Sequence, residues 1–348
     1  MKKGQVTIKD IAKELNISCS TVSRALKDFP GISPNTRKAV MDLANQYNYR
    51  PNAIALSLRN QKTNVIGVII PETVHFFFST VISGIEDEAM KEGYNVMICQ
   101  SNENYEREAD SIDALMSARV DGLLVSISRE TSDLAHLQKV VDEGVPMVFF
   151  DRLVEGMNAT SVIVDDYQGA YDAVEHLIEQ GCRNIVHLAG PENLIIGRKR
   201  KEGYLSALED NEIPIDESYI VECRYGTQEE AETAMEKLLA SGKRIDGVFA
   251  NNDMAALGSL KAIKKAGLKI PDDIAIVGYS DWQFSSLVHP SISSVSQPGY
   301  EMGREAARMM FEEINRKEVG KSVIKILDTE LIVRESSNKV AINQPADL

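Results

Sequence analysis

Cysteine is scarce and scattered: Cys19, Cys99, Cys182 and Cys223 are the only four in 348 residues. None stands at Cys-x-x-Cys spacing, which favours reduced thiols over a disulfide framework or a zinc site. The five histidines form no ligand cluster either, so no metal or other cofactor is expected. No apolar run reaches membrane length, and Met1-Lys2-Lys3-Gly4-Gln5-Val6 leads directly into a helical pattern without an apolar signal region. A cytoplasmic protein without membrane contact is the expectation. Phosphate-cradling loops and nucleophile-base arrangements are also missing, and tryptophan occurs once, as Trp282. Acid, by contrast, is abundant, with a net charge of −14 over the whole chain. It is unevenly spread: residues 1–62 hold eleven Lys and Arg against four Asp and Glu, a net of +7, whereas the remainder holds 27 against 48, a net of −21. Length and a hydrophobic content of 43% suit two or three domains with sizeable cores.

The basic end reads as short capped helices. Thr7 with Asp10 three residues on is a variant capping box, and Ile8, Ile11, Ala12 and Leu15 share one face behind it. Ser18 opens a second helix in which Val22, Ala25 and Leu26 face inward, leaving Cys19, Ser20, Ser23 and Arg24 outward. Ser33-Pro34 is an N-cap followed by proline at the first helical position, and Arg37, Val40, Leu43, Ala44 and Tyr47 continue that third helix. A gap of two or three residues between the first two helices suits a helix-turn-helix, in which the second helix enters the major groove. A solvated surface bundle would show the same spacing. The concentration of positive charge on this end favours a DNA reader.

From Lys62 onward strands alternate with helices. Val65 to Ile70, Asn95 to Cys99, Val120 to Val125 and Val145 to Phe150 are strand-like runs with helical segments between them. A second series begins near Ser161 and contains strands at Asn184 to Leu188, Asp246 to Ala250 and Ile274 to Tyr279. Ile245-Asp246-Gly247-Val248 echoes Val120-Asp121-Gly122-Leu123, hinting at duplication. The expected fold class is therefore α/β, two lobes of doubly wound parallel sheet behind an all-α amino-terminal unit.

The motifs Val6-Thr7-Ile8-Lys9-Asp10-Ile11-Ala12, Ser20 to Leu26, Ile32 to Arg37 and Tyr49 to Ala55 before Leu58-Arg59 closely resemble the headpiece of the lac repressor (LacI) family. The resemblance extends through almost the whole chain to Val333. It implies a helix-turn-helix headpiece over residues 1–49, a hinge helix and linker over 50–62, and a periplasmic-binding-protein-like body over 63–340. Within the body it implies an N-lobe of about 63–160 and 294–327 and a C-lobe of about 161–293 and 328–340, with a polar tail at 341–348 that lacks leucine heptads.

The same resemblance assigns roles. Cys19, Ser20 and Arg24 stand where the recognition helix meets base edges, and Arg24 is the best candidate for guanine because a forked donor matches both O6 and N7. Thr7, Ile8, Ser18, Thr21, Ser23, Ser33 and Thr36 stand at or beside the helix starts that grip phosphates. Pro51 to Leu58 is similar to the family's hinge helix, with Ala55 allowing close approach, Leu58 as the wedge into the central base step, and Asn52 and Arg59 flanking it. For the effector, His75 and Phe76 are expected to face a cleft between the lobes while Phe77 and Phe78 fill the core. Asp151-Arg152 follows a strand and suits sugar hydroxyls. Arg200 and Asn252 match effector-holding residues of the family, and Tyr225 is a second aromatic candidate. Tyr279-Ser280-Asp281-Trp282 departs from the family pattern, moving the carboxylate one position to Asp281 beside Trp282. Asp165 and Asp166 read as helix N-caps.

Together these readings make the chain a dimeric transcription regulator, most simply a repressor, with palindromic operator DNA, a small-molecule effector, a sugar or sugar phosphate, and a second copy of itself as the expected partners. Two other classes use a similar body: an exported solute receptor, and a sugar-processing enzyme with Asp151, Asp281 and His75 as acid and base.

Overall fold

The computed structural model describes residues 6–49, 62–316 and 322–339. The chain divides into two compact units, Met1–Asn64 and Val65–Leu348.

In the first unit three helices, α1 (Ile8–Glu14), α2 (Cys19–Leu26) and α3 (Pro34–Gln46), surround a small core of Ile11, Ala12, Val22, Ala25, Val40, Leu43 and Ala44. Every helix start is capped from its own sequence. The Asp10 carboxylate accepts from the Thr7 N–H at 2.8 Å, Ser18 Oγ accepts from the Thr21 N–H at 3.1 Å, and Ser33 Oγ accepts from the Thr36 N–H at 3.1 Å. Asn16, at φ +50°, makes the left-handed turn that lets α2 leave α1 after so few residues. Tyr47 Oη donates to Glu14 at 2.6 Å and fastens the end of α3 to α1. The expected hinge helix, with Asn52, Ala55, Leu58 and Arg59, and the expected polar tail lie outside the described residues.

The second unit consists of two lobes. In the first, β1 (Val65–Ile70), β2 (Asn95–Gln100), β3 (Gly122–Val125), β4 (Met147–Phe150), β5 (Thr160–Val164) and β11 (Ile324–Leu327) form one sheet in the order β11-β5-β4-β3-β1-β2, each neighbouring pair parallel. Its faces are covered by α4 (Phe76–Lys91), α5 (Tyr105–Ser117), α6 (Ala135–Asp142) and α11 (Gly299–Asn315). Burial on both faces is why Val65-Ile66-Gly67-Val68-Ile69-Ile70 is apolar throughout rather than alternating. Helices α4 and α11 cross at glycines: a Cβ on Gly84 would collide with the Tyr300 carbonyl, and one on Gly303 with the Val81 carbonyl.

The second lobe repeats the plan. β6 (Ile185–Ala189), β7 (Ile220–Glu222), β8 (Gly247–Ala250), β9 (Ala275–Tyr279), β10 (Ser293–Ser296) and β12 (Glu330–Ile332) run in the order β12-β10-β9-β8-β6-β7, parallel except for the antiparallel β10–β12 pair. Helices α7 (Asp166–Glu179), α8 (Ile195–Asp210), α9 (Gln228–Ala240) and α10 (Asp253–Lys265) cover it.

Two of the expected lobe limits need correction. The limit at 160/161 would cut β5, which pairs with β4 and β11 along its length and so belongs wholly to the first lobe; the chain crosses only after Val164. The limit at 293/294 would cut β10, which pairs with β9 and β12 of the second lobe, so the return crossing follows Ser296. With the link from β11 to β12, three strands of chain join the lobes. The carboxyl ends of the parallel strands on either side of these links carry the loops that face the intervening cleft.

Candidate DNA interface and effector cleft

On the first unit, α2 exposes Cys19, Ser20 and Arg24, with Thr21 and Ser23 half-buried. The three hydroxyls at its start are linked: Ser18 Oγ lies 2.7 Å from Ser20 Oγ and 2.8 Å from Thr21 Oγ1. At the start of α3, Ser33 Oγ and Thr36 Oγ1 are 2.8 Å apart. Short hydroxyls at two helix N-termini, beside free backbone N–H groups, suit phosphate oxygens. The Arg24 guanidinium rests 5.6 Å from the ring centroid of Phe29, which is itself 52% exposed. The Ile8 side chain is partly buried against the core, so its backbone at the head of α1 is the part it offers a phosphate.

A cleft of about 590 Å³ opens between the two lobes of the body. It gathers His75, Asp151, Arg152, Arg200, Tyr225, Asn252 and Trp282, seven of the nine expected effector residues. Phe76 and Asp281 are the corrections. Helix α4 begins at Phe76 with His75 as its N-cap; Phe77 and Phe78 are buried in the core of the first lobe, as expected, and also border the cleft, while Phe76 does not line it. Ser280 and Asp281 both take left-handed conformations, φ +98° and +48°, which send the Asp281 carboxylate to Arg334 at 2.6 Å and bring Ser280 to the cleft instead.

Asp151 directly follows β4, at φ +64°, and is buried. Its nearest polar neighbours are distant, Ser126 Oγ at 3.4 Å and Arg152 Nε at 3.7 Å, and desolvation pushes its carboxyl up to about 6. Arg152 gives two parallel hydrogen bonds to Glu103, both 2.7 Å, and a third to the Ile127 carbonyl. Glu103 also accepts from the Arg129 N–H at 2.6 Å; although burial opposes ionisation, the Arg152 and Arg129 charges hold its carboxyl at about 2.

On the opposite wall Arg200 is buried and engaged. Nε donates to Asp166 at 2.8 Å, Nη1 donates to the Asn251 carbonyl at 2.6 Å, and the guanidinium stacks 3.6 Å over the Tyr279 ring. Asp165 caps α7 as expected, accepting from the Gln168 N–H at 2.9 Å, but Asp166 is the buried counter-ion of Arg200. Asn252 caps α10 through the Ala255 N–H at 2.8 Å and donates to the Gly226 carbonyl at 3.1 Å. Asp253, pushed up to about 7 by burial, accepts from the Trp282 N–H and from Ser294 Oγ, each at 2.6 Å, and so fixes the loop that carries the indole.

Contacts across the cleft link the lobes. The His75 and Trp282 rings meet edge-on at 4.8 Å, Arg129 Nη1 donates to the Arg224 carbonyl at 2.7 Å, Asn193 donates to the Arg129 carbonyl at 2.6 Å, and Arg198 pairs with Glu155 at 2.7 Å. Glu103, Arg129, Asp166, Asp253 and Gln297 were not anticipated from the sequence. Glu103 and Arg129 follow the carboxyl ends of β2 and β3, where the strand-end rule would have found them.

A helix-turn-helix unit joined to a two-lobed binding body defines a ligand-responsive DNA-binding protein. Residues 7–52 match "Bacterial regulatory proteins, lacI family", and residues 63–335 match "Periplasmic binding proteins and sugar binding domain of LacI family". The catabolite control protein A of Priestia megaterium is 34% identical over 322 residues, covering 92% of this chain and 96% of the relative. Among solved structures, the lac repressor dimer bound to operator and the anti-inducer ONPF superposes with a TM-score of 0.85 at 25% identity, over 96% of this chain and 99% of the other. The CelR–cellobiose complex gives 0.73 at 28% identity, over 95% and 99%. The chain belongs to the LacI family of DNA-binding transcription regulators and is not an enzyme. Among the described residues, no helix is long and apolar enough to cross a membrane, and no group of histidine, cysteine and carboxylate side chains is placed to hold a metal.

Proposed function

We propose that the protein is a cytoplasmic, homodimeric repressor that reads a palindromic operator through paired headpieces and releases it when a carbohydrate binds between the lobes. The observation that carries the effector class is a set of buried polar atoms at the cleft with no hydrogen-bond partner among the described residues. Arg152 Nε and Gln297 Nε2 are donors of this kind, Asn251 Oδ1 is an acceptor, and the Asp151 carboxylate has only long contacts. Buried groups left unsatisfied cost stability, and a ligand bearing hydroxyls both donates and accepts. The apolar ring faces of a sugar suit Trp282, the pyranose and furanose edges suit Asp151, Arg152, Asn252 and Arg200, and His75 and Tyr225 close the sides. The solved cellobiose complex of a relative agrees with this class.

In the headpiece, Arg24, Cys19 and Ser20 read bases, while Thr7, Ser18, Thr21, Ser23, Ser33 and Thr36 hold phosphates. Asn52, Ala55, Leu58 and Arg59 act as the hinge in the minor groove. The similar lac repressor, solved as a dimer bound to operator, supports a dimer on paired half-sites. Coupling is then a free energy linking cleft closure to hinge spacing across the dimer. The test is operator binding measured by mobility shift with and without each sugar of a panel. Release by a sugar that also binds saturably and is recovered unchanged is the expected result; operator affinity indifferent to every sugar that binds the cleft would reject the coupling.

A further inference from the structure

Glu108 does not line the cleft and is fully buried, on the inward face of α5 that Ile112 and Leu115 continue. A leucine there would be buried at no cost, whereas a carboxylate must be hydrogen-bonded to be held in a core. Its bonds go to one stretch of chain, the loop from β3 and the start of α6. The Ser128 N–H donates to Oε2, and Thr131 Oγ1 and His136 Nε2 each lie 2.8 Å from Oε1. The Tyr105 ring meets the His136 ring edge-on at 5.0 Å, and His136 Nδ1 is buried without a hydrogen-bond partner among the described residues. The tautomer protonated at Nε2 donates to Glu108 and leaves no orphaned N–H, so it is the one that fits.

The same loop carries a residue that bridges the lobes. Arg129 Nη1 donates to the Arg224 carbonyl at 2.7 Å, the Arg129 carbonyl accepts from Asn193 at 2.6 Å, and the guanidinium lies 5.3 Å from the Tyr225 ring centroid, all three contacts being with the second lobe. The Arg129 N–H donates to Glu103 at 2.6 Å, so the consecutive N–H groups of Ser128 and Arg129 are held by two carboxylates from the segment that follows β2. Ser128 Oγ adds a hydrogen bond to Ser101 Oγ at 2.7 Å. We propose that Glu108 is a positioning residue for closure of the body, fixing the loop over 126–131 where Arg129 reaches the second lobe. Closure then depends on a carboxylate that lines no part of the cleft. A displacement of about 1 Å at this loop would carry both cross-lobe hydrogen bonds beyond useful length. The inference concerns closure alone and does not rest on the chemical class of the effector.

Two measurements on the full-length protein without ligand test this. Acrylamide quenching of Trp282, the chain's single tryptophan, reports closure because its ring meets His75 of the other lobe at 4.8 Å. Hydrogen exchange read by mass spectrometry reports each segment separately. In Glu108→Leu, exchange is expected to rise about ten-fold at 126–131 and also at 191–194 and 223–226 of the second lobe, while β1 and β3 stay protected. Quenching should rise by about two-fold, Arg129→Ala should raise it as much, and the double variant should add nothing further, since both break one route. Glu108→Gln should restore most of the closure, because its amide oxygen can face the Ser128 N–H while Thr131 and His136 turn to accept from its N–H groups. A Glu108→Leu protein that loosens the first lobe throughout, leaves 191–194 and 223–226 unchanged and adds its effect to that of Arg129→Ala would reduce Glu108 to a stability residue and overturn the inference. Circular dichroism melting checks folding. If Glu108→Leu does not fold, Thr131→Val, which removes one donor, is expected to move both readouts in the same direction, and no movement overturns the inference equally.

Discussion

Asp151 shows how one residue's environment sets a measurable dependence on pH. Its folded value of about 6 lies above the ordinary 3.8 because burial penalises the carboxylate. In the free protein its contribution to stability is therefore fully present below about pH 4 and is lost as pH rises through 6. Ligand binding runs the other way, since a sugar hydroxyl donates to the ionised form. Affinity should be flat above pH 6 and fall by up to about ten-fold per unit below it, and Asp151→Asn should flatten the profile. Fluorescence titration from pH 5 to 8 checks this, and a level profile in the native protein would remove Asp151 from the site. Arg200 calls for a different test. Arg200→Ala leaves Asp166 buried without its counter-ion, so a loss of about 3–5 kcal/mol in denaturant unfolding is expected, partly recovered by adding Asp166→Ala. A loss below about 1 kcal/mol would mean that water replaces the partner. Arg200, Asn252 and Trp282 were legible in the sequence because each sits in a motif or next to a strand end. Phe76 and Asp281 were misplaced for local geometric reasons: a helix that starts at Phe76 itself and turns its side chain away from the cleft, and two successive left-handed residues that periodicity does not encode.

At the level of elements, α2 concentrates the consequences. Its cap, inner face and exposed face were all readable, because Ser18, Val22 with Ala25, and Arg24 with Ser20 occupy positions fixed by the 3.6-residue turn. The Arg24 guanidinium lies 5.6 Å from the centroid of the exposed Phe29 ring. Arg24→Ala should cost about 1–3 kcal/mol on the preferred operator and relax one base position, measured by selection from a randomised palindromic library followed by binding assays. An unchanged selected sequence would reject its reader role. Strand β5 marks the limit of legibility at this scale. The sequence places the start of the second series near Ser161, inside Thr160–Val164; the next residues do begin a helix of the other lobe, and only pairing with β4 and β11 reveals which sheet owns the strand. Sequence periodicity reports that a strand exists; its partners are set by non-local packing.

Over the whole molecule, the division into two compact units has a thermodynamic consequence. The cleft is built entirely from the second unit, so an effector bound there stabilises that unit directly by mass action. At a ligand concentration of 100 times Kd the gain is about 2.7 kcal/mol. For a body of this size, about 2–4 °C per kcal/mol, the transition should rise by on the order of 5–10 °C. The headpiece has its own small core of seven buried residues and no part in lining the cleft, so its transition should stay where it is in the absence of DNA. Differential scanning calorimetry of the full chain, with and without the tightest sugar found by fluorescence, separates the two. A shift of the body's transition alone places the ligand in the cleft and leaves the signal to DNA to travel through residues 50–61. If instead the headpiece transition moved and the body's did not, the ligand would be bound outside the cleft, and the proposed route from sugar to operator would be wrong.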